Sequence, residues 1–293
     1  MDIDLLRTFL EVNRTRHFGR ASENLFLTQS AVSARIRQLE ETVGSQLFTR
    51  DRNDIQLTPA GSRLLKHAEA IVIAWNRAQQ EVLLGGQDRI SLAIGAMPSL
   101  WDVLLEERIH QLYREQRNIA LQIEAHGAEV LVRKLLDGTL DLVFMFEPPQ
   151  MTELLEREVA VIRLVMVASQ PELTVERAVR ENYILTDWGT SFTVAHARYF
   201  PNMPPPAVRI GPGRLSLKFL LGCGGATYLA EQTVAEHVES GRLFQVVGAP
   251  VVDRKVYAVF PAASERHDVL VGLLDYLVVP EPIAAAEQPA EAG

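Results

Sequence analysis

Apolar side chains in the first 85 residues recur every three or four positions, the spacing of amphipathic helices. Leu5, Leu6, Phe9, Leu10 and Val12 predict a first helix, and Gly19 breaks that pattern. A short second helix is expected over 20–26, with Ala21 and Leu25 on one face. Leu27 and Thr28 form a tight turn. Val32, Ile36 and Leu39 mark the inner face of a third helix, which runs from Thr28 or Gln29 to about Thr42 and is closed by Gly44. Residues 45–57 switch to a small hairpin pattern with a charged tip, and Ile55 and Leu57 alternate behind it. Thr58-Pro59 has the residue types of an N-cap and first helical position. The long helix it opens reaches about Leu84. Leu64, Leu65, Ala68, Ile71, Val72 and Trp75 lie on its apolar stripe, which lasts roughly three heptads and predicts a dimerisation face.

Beyond a Gly85-Gly86-Gln87-Asp88 linker, the period changes. Short apolar runs near 90–94, 119–125, 140–146, 159–168, 183–186, 207–210, 226–230, 244–247 and 255–260 alternate with helical patterns. That alternation predicts an α/β body around a mostly parallel sheet. The body is large enough for two lobes. The expected organisation is a helical module with a small hairpin over 1–58, a linker helix and hinge over 59–88, and an α/β domain over 89–279. Its lobe I would take about 89–168 and 262–279, and its lobe II about 169–261. Residues 280–293 read as a disordered tail.

Composition narrows the classes. The 293 residues are 47% hydrophobic and 23% charged, which excludes wholesale disorder and fibrous designs. The lone Cys223 cannot pair within the chain, and it reads as a buried structural thiol. The opening MDIDLLRTFLEV is too charged for a secretory signal, and no apolar run reaches the ~18–20 residues of a membrane span. A soluble, cytoplasmic protein without membrane contact is expected.

The net charge of −8 argues against nucleic acid until it is resolved along the chain. Residues 1–86 hold 11 basic and 10 acidic side chains, whereas residues 87–293 hold 18 and 27. Arginines 14, 16, 20, 35, 37, 50 and 52 cluster against only four acids within 14–52. A local basic patch thus sits on an acidic body, which permits phosphate contact without long-range attraction.

Residues 19–42, GRASENLFLTQSAVSARIRQLEET, have the layout of a helix-turn-helix. Ala21 permits a close crossing, and Leu25, Val32 and Ile36 lock the angle. Gln29, Ser30 and Ser33 then open the second helix with short polar groups, as a helix entering the major groove requires. Gln29 suits a base edge, and the two serines suit bases or phosphates. Arg35 and Arg37 are expected to point toward flanking backbone. Arg50 and Arg52 on the wing are expected to reach a phosphate or the minor groove. The partner so implied is double-stranded DNA.

At this point the chain resembles the LysR-type transcriptional regulators. The carrying segments are LLRTFLEV, HFGRASENLFLTQSAVSARIRQLEETVG and LFTRDRNDIQLTPAG, in that order and spacing over about 60 residues. The resemblance implies a winged helix-turn-helix, a dimerising linker helix, and a two-lobe, periplasmic-binding-protein-like α/β effector domain. It implies tetramers that bend promoter DNA and respond to a small metabolite in the interlobe cleft. Two positions depart from the family: Ala34 stands where many members carry a basic residue, and Gly127-Ala128 where many carry a hydroxyl.

In such a body, ligands gather where strands end and helices begin. The candidate effector contacts are Met97, Pro98, Ser99, Trp101, Ala128, Glu147, Thr190 and Ser191, with Phe192 a further wall. Ser99 and the N–H groups after it suit an anion. No cofactor and no metal is called for, since the seven histidines show no ligand spacing. Gly222–Gly225 lacks the Lys-Ser/Thr of a P-loop, and Gly189–Thr193 is no nucleophile elbow. No nucleophile, base and orienting group converge, so catalysis is not expected. A small-molecule binding protein whose first module contacts proteins remains the competing reading.

Overall fold

The computed structural model describes residues 2–51, 54–83, 90–116, 118–206, 208–264 and 266–277. The chain divides into two compact units. One comprises Met1–Ser91 with Leu136–Thr139, and the other Leu92–Leu135 with Leu140–Gly293.

The first unit begins with α1 (Ile3–Thr15), α2 (Phe18–Asn24) and α3 (Gln29–Val43), which pack on one another. Each start has a side-chain cap. Asp2 accepts the N–H of Asp4, His17 Nδ1 those of Gly19 and Arg20, and Thr28 that of Ala31. Gly44 closes α3 at φ 73°, in the left-handed region where a side chain would be strained. The hairpin β1 (Phe48–Asp51) and β2 (Asp54–Leu57) is antiparallel, with Phe48 opposite Leu57. Leu5, Leu6, Phe9, Val12, Ala21, Val32, Ile36, Leu39, Leu47 and Phe48 form its core. The Phe9 and Phe48 rings lie 5.3 Å apart.

The helix α4 (Pro59–Leu83) starts at Thr58, whose hydroxyl accepts the Gly61 N–H at 3.0 Å and donates to the Gln46 carbonyl at 2.6 Å. A Cβ at Gly61 would fall 2.2 Å from the Leu47 carbonyl oxygen, so only glycine lets α4 approach the wing base so closely. The expected linker 85–88 and tail 280–293 lie outside the described residues.

The second unit is built on one large sheet of β3 (Ile90–Ala96), β4 (Ile119–Ala125), β5 (Leu142–Met145), β6 (Leu154–Ala168), β9 (Ala226–Ala230), β10 (Phe244–Gln245) and β11 (Val252–Pro261). Its order is β10-β6-β11-β5-β3-β4, with β9 also on β6. A separate parallel pair joins β7 (Ile184–Thr186) to β8 (Val208–Ile210). The expectation of a mostly parallel sheet is corrected here. In the large sheet β3 pairs parallel with β5, while β6 pairs antiparallel with β9, β10 and β11, and β11 with β5. The cause is the length of β6 and β11. β11 pairs along Val252–Pro261 with β6 and through Tyr257–Val259 with β5, while Leu164–Ala168 of β6 pairs with β9.

Helices cover this sheet: α6 (Glu106–Glu115), α7 (Ala128–Leu136), α8 (Val175–Arg180), α9 (Thr190–Tyr199), α10 (Gly213–Cys223), α11 (Glu231–Glu239) and α12 (His267–Leu277). The helical run after Met97 is broken. A short α5 (Pro98–Leu100) passes through a π-helical turn, Trp101–Leu105, before α6 begins. No described helix is long and apolar enough to cross a membrane.

Candidate nucleic-acid interface and interlobe site

In the first unit, Thr28 places Gln29 and Ser30 at the exposed start of α3, with Ser33 half-buried a turn later. The Ser30 hydroxyl lies 2.9 Å from that of Thr28, so the two share a hydrogen bond. The arginines divide into two groups. Arg35 does not point outward as expected. It donates to the Thr8 hydroxyl at 3.4 Å and pairs with Asp4 at 3.6 Å, because the inner flank of α3 faces α1. Arg14 pairs with Glu11, and Arg16 donates to the Ile55 carbonyl of the wing at 3.3 Å. Arg20 and Arg37 are exposed, and Arg37 donates to the Ser33 carbonyl at 3.3 Å. Arg50 lies in β1. Its side chain, and Arg52 altogether, lie outside the described residues.

In the second unit, two of the expected cleft residues, Ser99 and Glu147, are bonded to residues far along the chain. Ser99 is buried; its hydroxyl donates to the Gly211 carbonyl at 3.2 Å and accepts the Gly213 N–H at 3.3 Å. Met97 caps α5 by its backbone alone, with Pro98 following it, and Trp101 donates its ring N–H to the Glu124 carbonyl at 3.0 Å. Asp102 and Glu106 hold Arg214 at the start of α10. Ala128 starts α7 half-buried beside the charged group Glu124, His126 and Lys134. Lys134 and His126 bonded to Glu124 hold its carboxyl below the usual range, against the opposing effect of burial.

Glu147, at the end of β5, makes the firmest contact. Its carboxylate accepts the Ser191 N–H at 2.9 Å in the first turn of α9 and pairs with Arg254 of β11. Arg254 is buried. Its Nε donates to the Trp188 carbonyl at 2.9 Å, and its guanidinium lies 4.9 Å from the centre of the Phe146 ring. Sequence reasoning missed Arg254, although the alternation of β11 puts it on the buried face with Val252 and Val256, between exposed Asp253 and Lys255. Thr190 is exposed at the same helix start. Phe192 is corrected: it is buried in a ring cluster with His196 and Tyr228 and lines no cleft.

Comparison with known proteins gives the family. Residues 3–62 match the profile of bacterial regulatory helix-turn-helix proteins of the lysR family, and residues 85–278 match the LysR substrate binding domain. The chain belongs to the LysR-type transcriptional regulators. It is 38% identical over 283 residues to the HTH-type transcriptional regulator HdfR of Yersinia enterocolitica, covering 94% of this chain and 95% of that protein. The HdfR of Escherichia fergusonii is 37% identical over 284 residues, covering 96% and 99%. Among solved structures, ArgP from Mycobacterium tuberculosis aligns at TM-score 0.59 and 18% identity, over 94% of this chain and 96% of that one. Vibrio fischeri DarR, solved in complex with DNA, aligns at 0.55 and 21% over 94% and 99%. At these identities the structures speak for the fold. This LysR-type regulator therefore has a DNA-binding module and an effector-binding domain.

The linker-helix stripe of this LysR-type regulator is only partly free. Ala68 and Val72 are buried in the core of the first unit, with Leu64 and Leu65 packed against it. Ala68 and Val72 are corrected to intramolecular core residues, since α4 lies on α1, while Leu64 and Leu65 stay partly exposed. Ile71 and Trp75 remain exposed, at 39% and 47%, and Val82 at 81%. Cys223 is exposed at the end of α10 rather than buried. Among the described residues, no three His, Cys, Asp or Glu side chains gather as metal ligands would.

Proposed function

We propose that this regulator reads promoter DNA through the start of α3. Gln29 contacts a base edge, Ser30 and Ser33 contact bases or phosphates, and Arg37 and Arg50 contact the backbone. Arg52 is assigned to the wing tip on sequence grounds alone. Arg35 is left out, because its partners are Asp4 and Thr8. The observation that carries this reading is the exposed polar N-terminus of α3, capped by Thr28 and set on a buried Val32–Ile36–Leu39 face.

A small molecule would act between the lobes, near Ser99, Trp101, Ala128, Glu147 and Thr190. Lobe I would hold about 89–168 and 262–279, and lobe II about 169–261. The Ser99–Gly211 and Glu147–Ser191 bonds both join those segments, so a ligand there would change how the lobes meet. Ile71, Trp75 and Val82 of α4 would dimerise two chains, and dimers would pair into tetramers. The protein would work in the cytoplasm, without catalysis.

Footprinting on a promoter bound by the full chain tests the DNA reading. Gln29→Ala is expected to weaken specific binding alone. Arg50→Ala is expected to weaken binding to all sequences and flatten its salt dependence by about one unit of slope. Unchanged affinity and slope in both variants would overturn the assignment.

A further inference from the structure

Between α2 and α3 the chain turns through Leu25, Phe26 and Leu27. Leu25 and Leu27 pack against the core of the first unit. Phe26, between them, is 95% exposed. Its backbone sits at φ 55°, the left-handed region that a bulky side chain adopts only under strain. Two backbone bonds fix the turn, from the Phe26 N–H to the Glu23 carbonyl at 3.2 Å and from the Leu27 N–H to the Ser22 carbonyl at 2.9 Å. Glycine or asparagine would suit both this φ and this exposure. Neither the turn nor the core therefore selects phenylalanine.

The ring stands two residues before the Thr28 cap, at the same end of α3 as the exposed Gln29 and Ser30. It is continuous with the surface assigned to the major groove, and the inference rests on that assignment. The base edges in that groove carry amides, carbonyls, ring nitrogens and one apolar group, the 5-methyl of thymine. A side chain without donors or acceptors has that methyl as its matching target, and phenylalanine is among those that use it. We infer that Phe26 is a specificity-determining residue that reads a thymine methyl beside the base contacted by Gln29. The two backbone bonds fix the turn, so only the ring's side-chain torsions are ordered when it packs on DNA.

The full chain is used to select its preferred duplex from a randomised pool, and that duplex is the probe. Each thymine is then replaced in turn by deoxyuridine, which removes only the methyl. At one thymine per half-site the replacement is expected to weaken the natural protein about fourfold, the worth of one methyl group. Phe26→Ala should weaken binding to the unmodified duplex at least as much, and should no longer respond to that replacement. Phe26→Asn removes the ring while suiting the turn. It should match Phe26→Ala in binding without lowering Tm, which separates lost contact from lost fold. The inference is overturned if both variants bind as the natural protein does. It is equally overturned if they bind more weakly yet respond to every deoxyuridine as before. Failure of the natural protein to select any duplex is a separate result, which removes the reading of α3 and this inference with it.

Discussion

Glu147 accepts the backbone N–H of Ser191 at 2.9 Å, so a carboxylate just after β5 sits at the N-terminus of α9. The α9 dipole and its free N–H groups favour an anion there, and Glu147 supplies one from within the chain. The same carboxylate neutralises Arg254, whose side chain is 8% exposed. The position where a family ligand could place a negative group is thus already filled by the protein.

The first prediction follows from the asymmetry of that pair. Arg254 is buried, while Glu147 is 35% exposed. Arg254→Ala opens a void and leaves the Trp188 carbonyl without its donor; it should cost about 3 kcal/mol. Glu147→Gln keeps an acceptor for Ser191 but leaves the buried Arg254 charge without its counter-ion; it should cost about 3 kcal/mol, for a different reason. The double variant should lose less than the sum, because the pair is removed together. Urea denaturation of the four proteins measures this coupling. Strict additivity would show that the two residues stabilise the lobe independently.

A second prediction concerns pH. Burial pushes the His196 imidazole down to about 4, and its Nε2 lies 2.7 Å from the Tyr183 hydroxyl. The unfolded chain holds a proton on this residue up to about pH 6.5. Between those values the unfolded state binds more protons, so stability rises with pH. The contribution is complete above about pH 7 and is lost as the solution is acidified toward 4, by up to about 3 kcal/mol. His196→Leu should be less stable at neutral pH and should lose this part of the acid slope. Chemical denaturation at pH 4.5, 5.5 and 7.5 reads it, and an unchanged slope in the variant would assign the acid sensitivity elsewhere.

How much of this was legible in the sequence depends on the range of each interaction. The bounds of α3 are local facts, written in Thr28 and Gly44, and the structure places them at Gln29 and Val43. The wing is local too, as are the strand at 119–125 and the helix starting at Ala128. What escaped is non-local. Whether β6 pairs parallel or antiparallel depends on β11, some 90 residues away, and the apolar run marks only 159–168 of a strand that starts at Leu154. The burial of Arg254 depends on Glu147, 107 positions distant in sequence. Arg35 looked like a phosphate ligand because its partner Asp4 lies on another helix.

That last contact gives a third prediction. Arg35 and Arg37 are two residues apart on α3 and should behave differently. Arg35→Ala breaks a part-exposed pair and should lower stability by about 0.5–1 kcal/mol, leaving the salt dependence of DNA binding unchanged. Arg37→Ala should leave stability unchanged and reduce the salt slope by about one. Titrations at several salt concentrations beside thermal melts separate the two. A slope change with Arg35→Ala would mean that it leaves Asp4 to hold a phosphate.

The linker helix provides the fourth. Val72 is 3% exposed and Trp75 47%, although both lie on the one stripe that the sequence offers for dimerisation. Val72→Ala removes two methyl groups from the core of the first unit and should cost about 2 kcal/mol while leaving the oligomeric state alone. Trp75→Ala removes no described core side chain and should leave the monomer's packing intact. If Ile71, Trp75 and Val82 form the seam between two chains, Trp75→Ala should instead weaken self-association by at least tenfold, as loss of a central aromatic anchor does. Sedimentation of both variants across a concentration series reads the difference. Weakened association with Val72→Ala and none with Trp75→Ala would place the seam on the buried face, and would require α4 to leave α1 when two chains meet.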